Sequence, residues 1–249
     1  MPNTPLTISK KMRLHAHRCF RALGFDIVRT HPVSSNERVV GSFPPHTEYS
    51  IVGSLENFFI HDGYRHRTEA IHWDDTENKD EWQDEVYKFA REVFVQQNLR
   101  TVADVGCGSA YKLLKYFGDR EVIGLDVAET CAWLRKRYPY STWIELDFRN
   151  PRPLHAELII AADVIEHLLN PDDLISYLLA VNPRYIVLST PDRNLLRAGT
   201  HNGPPRNPAH VREWSFVQFE AYIARHFRVL EHFISNSAQG TQCVLCAPR

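Results

Sequence analysis

Asp163, Glu166 and His167 stand at i, i+3 and i+4 in the run Asp163-Val164-Ile165-Glu166-His167-Leu168. On a helical turn that spacing puts two carboxylates and an imidazole on one face. Such a set can ligate a divalent cation or share a proton. Downstream, Ser189-Thr190-Pro191-Asp192-Arg193-Asn194 leads into a proline-rich stretch from His201 to Trp214 that also holds His210 and Glu213. A segment of this length without helical or strand periodicity, inside a compact domain, usually serves function. An imidazole titrates near neutrality, so it suits a base that takes the proton of a hydroxyl turning nucleophile. His210 and His201 are the first candidates for that base, and His167 the next. Arg193, Arg206 and Arg212 can read a phosphate or carboxylate, although such arginines more often tie scaffolding together.

A second constellation lies upstream. Asp104-Val105-Gly106-Cys107-Gly108-Ser109-Ala110 closes an apolar stretch and opens a helical one. Gly106 and Gly108 permit a tight turn and let backbone approach a ligand without a Cβ clash. The helix N-terminus behind them offers N–H groups to a carboxylate. Asp126 ends the next apolar stretch, where its carboxylate can accept hydrogen bonds from both hydroxyls of a ribose. Asp147-Phe148 ends the third, with an acceptor for an adenine amino group and a ring to stack on its face. A dinucleotide site also has glycines and a ribose carboxylate, but its turn is GxGxxG. The third glycine position here is Tyr111.

These residues need a frame that gathers strand ends. Apolar runs at 101–105, 121–125, 142–146, 157–162 and 184–189 predict strands, and helical runs at 110–117, 129–138 and 171–180 separate them. Continuous apolar strands separated by helices indicate a parallel sheet covered on both faces. A helix over 216–226 and two strands, 228–234 and 241–246, follow, and their short polar connection makes that pair antiparallel. The fold class is therefore α/β: a Rossmann-like seven-stranded sheet, six strands parallel and one antiparallel, with helices on both faces. Residues 98–249 form that domain. Residues 1–97 lack the rhythm and are expected to form an N-terminal cap or lid, with helices over 8–25 and 81–97 and an extended connector over 30–55.

A formal net charge of −1 gives no general attraction for phosphates, so no nucleic-acid partner is expected. No run approaches the roughly 20 apolar residues of a membrane span, and the N-terminus lacks an apolar secretory core, so a cytoplasmic location is expected. Cys107 and Cys131 fall in core segments and Cys19 in the first helix. Cys243-Val244-Leu245-Cys246 has CxxC spacing, but with no second pair it reads as two strand cysteines rather than a zinc site.

With these motifs in place, residues 101–249 resemble class I S-adenosylmethionine-dependent methyltransferases of the methyltransferase-11 and -23 type. The resemblance implies S-adenosylmethionine as cofactor, held by Asp104, Gly106, Gly108, Asp126, Asp147 and Phe148, and by Asp163 and Val164. It extends weakly to Trp82-Gln83-Asp84-Glu85-Val86-Tyr87, where Gln83 and Tyr87, one helical turn apart, can face the pocket, or Tyr87 can instead pack in the core. The Asp-x-x-Glu-His, Ser-Thr-Pro and His-x-x-Glu-Trp arrangement is similar to sugar and glycan O-methyltransferases of polysaccharide pathways. It is also similar to small-RNA 2′-O-methyltransferases, where a Glu-x-x-Glu-His and a later His hold magnesium. Carried over, that pattern makes Asp163, Glu166, His167 and His210 the ligands of Mg2+, with Asp163 a departure because its side chain is shorter. Alternatively, Glu166 and His167 only cap a helix and bond the wall of the site.

The resulting expectation is a methyltransferase acting on a hydroxyl of a small-molecule or oligosaccharide acceptor, with residues 1–97 also available as a homo-oligomer contact. A small aromatic or lipid-soluble acceptor is the alternative, for which Phe58-Phe59-Ile60 can line the pocket; Tyr64-Arg65-His66-Arg67 suits a hydroxylated one. An RNA-modifying enzyme fits the charge poorly. A non-catalytic adenosylmethionine-binding protein has no need of the Asp163, Glu166, His167 and His210 set.

Overall fold

The computed structural model describes residues 53, 55–77, 82–148, 152–197 and 201–249. The expected helix over 8–25 with Cys19, and nearly all of the 30–55 connector, lie outside the described residues.

The apolar runs form seven strands: β1 Val102–Val105, β2 Val122–Asp126, β3 Thr142–Glu145, β4 Leu158–Ala162, β5 Tyr185–Pro191, β6 Arg228–Asn236 and β7 Thr241–Ala247. They pair in one sheet in the order β3-β2-β1-β4-β5-β7-β6. β7 runs antiparallel to both β5 and β6, and the pairs among β1 to β5 are parallel, so six strands share one direction. β1 and β4 are buried along their whole length, as central strands covered on both faces must be. The strand order reverses between β1 and β4, which opens a crevice beyond their carboxyl ends.

Six α-helices and two 3-10 turns, Leu55–Asn57 and Ile165–His167, complete the described elements: α1 Asp84–Gln96, α2 Tyr111–Phe117, α3 Ala128–Arg137, α4 Asp172–Val181, α5 Arg193–Arg197 and α6 Phe216–His226. On one face α1, α2 and α3 bury Phe89, Phe94, Leu113, Phe117 and Leu134 against the sheet. On the other, α4 and α6 bury Leu174, Leu178, Phe219 and Tyr222 together with Ile60 and Tyr64 of the N-terminal segment. Each such side chain contributes about 1.5–3 kcal/mol when fully buried. Cys243 belongs to the first core and Cys246 to the second. Three residues apart on a strand, they face opposite sides of the sheet and cannot share a metal.

Element ends agree with expectation to within three residues, with three local differences. The turn at Ile165–His167 is a short 3-10 helix that starts after Asp163, whose φ is 53°. β5 runs on to Pro191, and α5 forms at the start of the stretch expected to be irregular. The α1 helix begins at Asp84 rather than 81, after Gln83 in the left-handed region. Among the described residues no helix is long and apolar enough to cross a membrane.

Candidate functional site

A cavity of about 750 Å³ opens over the carboxyl ends of β1, β2, β4 and β5. At its β1–β3 end the glycine turn bends back to β2. Gly106 and Cys107 both donate their N–H to the Leu125 carbonyl, at 2.8 and 3.1 Å. Gly106 has φ 74°, and a Cβ there would lie 2.5 Å from Val164 Cγ2, so only glycine fits between turn and wall. Asp126 is pinned by two backbone donors, Gly108 N–H to Oδ2 at 2.7 Å and Val127 N–H to Oδ1 at 2.8 Å. Burial raises its pKa, and those two donors oppose the rise. Leu146 and Phe148 line the cavity beyond β3, and Phe148 rests edge-on against Tyr177 with ring centroids 5.8 Å apart.

Beneath the turn, Asp104 is completely buried. Its Oδ2 accepts a 2.8 Å hydrogen bond from the Tyr87 hydroxyl, whereas Oδ1 has no partner. Burial pushes its pKa up to about 8. Lys112, buried in the first turn of α2, also lines the cavity. From the N-terminal segment, Asp75 sets both carboxylate oxygens where a Cβ on Gly108 would stand. Burial, and next the charge of Asp126, push Asp75 up to about 6.

At the β4–β5 end lie Glu166, His167 and His210, each offering one ligand atom, all within 4.8 Å of one another. Glu166 is 0% exposed; Thr190 donates its hydroxyl to Oε2 at 3.0 Å, and Oε1 has no partner. Burial, and next the nearby Asp163, hold its pKa well above the usual carboxylate range. Nδ1 of His167 lies 3.0 Å from the Ala209 carbonyl, which fixes the tautomer with hydrogen on Nδ1 and leaves the Nε2 lone pair available. Burial, and next His210, push His167 down to about 4, so it is neutral near pH 7. Nδ1 of His210 lies 3.0 Å from Glu213 Oε1, and its Nε2 lies 2.9 Å from the Asn207 side-chain nitrogen. The two rings meet edge-on with centroids 4.8 Å apart.

The structure corrects several expectations. Asp163 does not join the triad. Its left-handed backbone precedes the 3-10 turn, and its Oδ1 accepts the Ser189 hydroxyl at 2.5 Å. With Val164 it lines the cavity instead. His201 does not line the cavity, its Nδ1 being held by the Gly203 N–H at 3.1 Å. Asp147 is exposed and lies outside the cavity, because the chain places Leu146 and Phe148 toward it and the residue between them away. Gln83 reaches the cavity and donates to the Ala162 carbonyl at 3.3 Å, whereas Tyr87 does not reach it and serves Asp104 instead. Phe58, Phe59 and Ile60 also stay out of it: Ile60 lies in the core and Phe58 packs on Tyr222.

The segment from Tyr64 to Arg67 holds the 202–213 loop. Arg65 donates to the Gly203 carbonyl, Arg67 to the Pro205 carbonyl, and the Tyr64 hydroxyl accepts the Glu213 N–H at 3.0 Å. Arg193, in α5, and Arg212, in the loop, are scaffolding. Arg193 binds the Glu213 carbonyl and Gln218, while Arg212 binds the Leu168 and Leu169 carbonyls at 2.8 and 2.7 Å between Phe58 and Trp214. Arg206 is exposed. Sequence reasoning missed Lys112, Asp75, Thr190 and Asn207 as members of the site, and gave Glu213 no role. Only Glu213 had a readable signal, its i+3 spacing from His210.

No family model matches the chain, and no curated protein matches it. Solved structures do. Magnesium protoporphyrin IX methyltransferase of Synechocystis PCC 6803, with bound SAH, is 16% identical with a TM-score of 0.51 over 67% of this chain and 83% of that one. The methyltransferase domain of bacterial CtHen1-C is 18% identical with a TM-score of 0.53 over 67% of this chain and 98% of that one. The chain has the class I methyltransferase fold. The [4+2]-cyclase SpnF is similar as well, 16% identical with a TM-score of 0.52 over 74% of this chain and 87% of that one. The same fold thus carries more than one chemistry, and function must be argued from the site.

Proposed function

We propose that this protein is an S-adenosylmethionine-dependent O-methyltransferase that methylates a hydroxyl of a sugar or glycan. The observation that carries the proposal is a single cavity with the pinned carboxylate of Asp126 at one end and the Glu166, His167 and His210 triad at the other. The residues fit the cofactor. Asp126 keeps acceptor capacity for a ribose diol; the partnerless Oδ1 of Asp104 lies under the turn; Phe148 offers an edge to an adenine. Adenosylmethionine supplies an electrophilic sulfonium methyl. What the chain must add is position and removal of a proton.

The acceptor end supplies both. Glu213 is 1% exposed and holds His210 through Nδ1, an arrangement that leaves Nε2 to take the acceptor's hydroxyl proton and stabilises the imidazolium that results. Asn207, now on Nε2, gives way to the hydroxyl. In a second reading Nε2 of His210 binds a cation and takes no proton: the Glu166 Oε1 without a partner, beside two imidazoles whose Nδ1 atoms are both engaged, favours a divalent cation on Glu166, His167 and His210. Such a cation lowers a hydroxyl's pKa and orients vicinal oxygens. Two nitrogen donors and one carboxylate suit manganese-like ions better than Mg2+, which favours oxygen ligands. The hydroxylated acceptor is supported by this polar lining and by the motif resemblance. Residues 70–73 and Asp75 line the cavity, which supports the N-terminal segment as its cap.

A panel of mono- and oligosaccharides, incubated with the protein and labelled methyl donor and read by mass spectrometry, tests the proposal. Transfer to a hydroxyl, lost in His210→Ala, is expected. Loss on EDTA treatment, restored by Mn2+, assigns the triad to a cation. Retention after EDTA assigns it to the His210–Glu213 base alone. Transfer to nitrogen, sulfur or carbon acceptors and to no hydroxyl would overturn the proposal.

A further inference from the structure

Arg197 ends the short helix α5 and lines the same cavity. Its Nε and Nη1 are buried and have no hydrogen-bond partner. Arg193 also has a partnerless Nε, but both its Nη atoms are bonded, and Arg212 is bonded to two backbone carbonyls; both guanidinium groups stack on aromatic rings. Among the described residues no ion pair joins Arg197 to a carboxylate. At this end of the cavity Asp163 accepts from Ser189, Glu166 from Thr190 and Glu213 is bonded to His210, while Oε1 of Glu166 and Oε2 of Glu213 have no partner. A guanidinium that has lost water from two of its nitrogens and found no acceptor is an incomplete arrangement, because a buried unsatisfied donor is costly.

The position of Arg197 says which ligand it serves. α5 follows β5, on the side of the sheet away from the glycine turn and from the β2 and β3 ends. Leu196 packs against the β6–β7 turn at Gly240, and Gln239 and Thr241 of that turn line the cavity beside Pro191. Arg197 therefore belongs to the end with Glu166 and His210, where the acceptor lies, and not to the adenosylmethionine end. The planar guanidinium fork binds carboxylate or phosphate oxygens through paired N–H donors.

We infer that Arg197 docks an oxyanion carried by the acceptor, so that the substrate is a sugar acid or sugar phosphate and not a neutral sugar. This rests on the proposal that the cavity methylates a hydroxylated acceptor. The oxyanion on Arg197 and the reacting hydroxyl near His210 Nε2 are two points on one molecule, which fixes which hydroxyl is presented.

The test uses the full chain saturated with S-adenosylhomocysteine and titrates three probes by calorimetry: glucose, glucuronate and glucose 6-phosphate. At least tenfold tighter binding of one or both anionic probes over glucose is expected, and which of them wins separates carboxylate from phosphate. Arg197→Gln should abolish that preference, and Arg197→Lys should retain part of it. S-adenosylhomocysteine binding by each variant serves as the check that it folds. Equal or absent binding of all three by the wild type overturns the inference, as does an anion preference that survives Arg197→Gln. Anion binding that depends on Arg197, with no methyl transfer to any hydroxyl, leaves the inference standing and sinks the function proposed above. Methyl transfer to neutral sugars alone does the reverse.

Discussion

Glu166→Gln separates a cation-binding role for the triad from a purely structural one. The substitution keeps the side-chain volume and an oxygen to accept the Thr190 hydroxyl, but removes the charge that Oε1 can offer to a cation. Because burial already disfavours the ionised form of Glu166, the metal-free variant should unfold within about 1 kcal/mol of the wild type. With a divalent ion at a hundred times its dissociation constant, the wild type gains about 2.7 kcal/mol. For a chain of this size that is a rise in Tm of about 5–11 °C. If the variant binds a hundredfold more weakly, the same concentration gives it only about 0.4 kcal/mol, or about 1–2 °C. Thermal unfolding of EDTA-stripped protein across a MnCl2 titration, with MgCl2 in parallel, measures both. A larger response to manganese than to magnesium is expected. No Mn2+-dependent rise in the wild type, or an equal rise in Glu166→Gln, refutes the cation site.

Asp75→Asn tests whether the N-terminal segment presses a carboxylate onto the glycine turn. The unfolded chain releases that proton near 3.8 and the folded chain at about 6, so over this interval the folded state holds more protons and stability falls as pH rises. The variant should therefore be more stable than the wild type at pH 7.5 by about 1–3 kcal/mol, with the difference vanishing below about pH 4. A pH-independent difference in denaturant titrations contradicts this. Arg212→Ala strips the Leu168 and Leu169 carbonyls of their donors and uncovers Phe58 and Trp214, and should cost about 2–4 kcal/mol in urea unfolding. Arg212→Lys should recover less than half, because an ammonium cannot bond both carbonyls and stack; full recovery removes the geometric explanation.

The architecture was legible in the sequence because its signals are local. Continuous apolar strands, helical spacing from Val86 to Phe94, and the polar turn between β6 and β7 each point to one element, and together to one sheet. The β1–β2 end of the cavity was legible for the same reason: Gly106 and Asp126 line it from their places at strand ends. The end with Glu166, His167 and His210 was read only in part. Glu166 and His167 are adjacent in sequence, and the motif joined His210 to them across 42 intervening positions; the fold brings all three together. Asp163 was misassigned because a 3-10 turn, unlike an α-helical one, does not place i, i+3 and i+4 on one face. Its left-handed φ, unusual for a residue other than glycine, turned the side chain to Ser189. Asp75, Lys112 and Arg197 carry no local signal. What they do depends on the segments folded over them, and charge in a sequence reads as exposure until the fold buries it.

In the proposed function the Asp104–Gly108 turn and Asp126 hold adenosylmethionine. Calorimetric titration of the full chain with S-adenosylmethionine, with NAD, and with S-adenosylmethionine again in Asp126→Ala tests it most directly. Binding of adenosylmethionine is expected, together with a loss of about 10–100-fold in the variant, the worth of one to two charge-assisted hydrogen bonds to the ribose. Tighter binding of NAD, or adenosylmethionine affinity unchanged by Asp126→Ala, would contradict it.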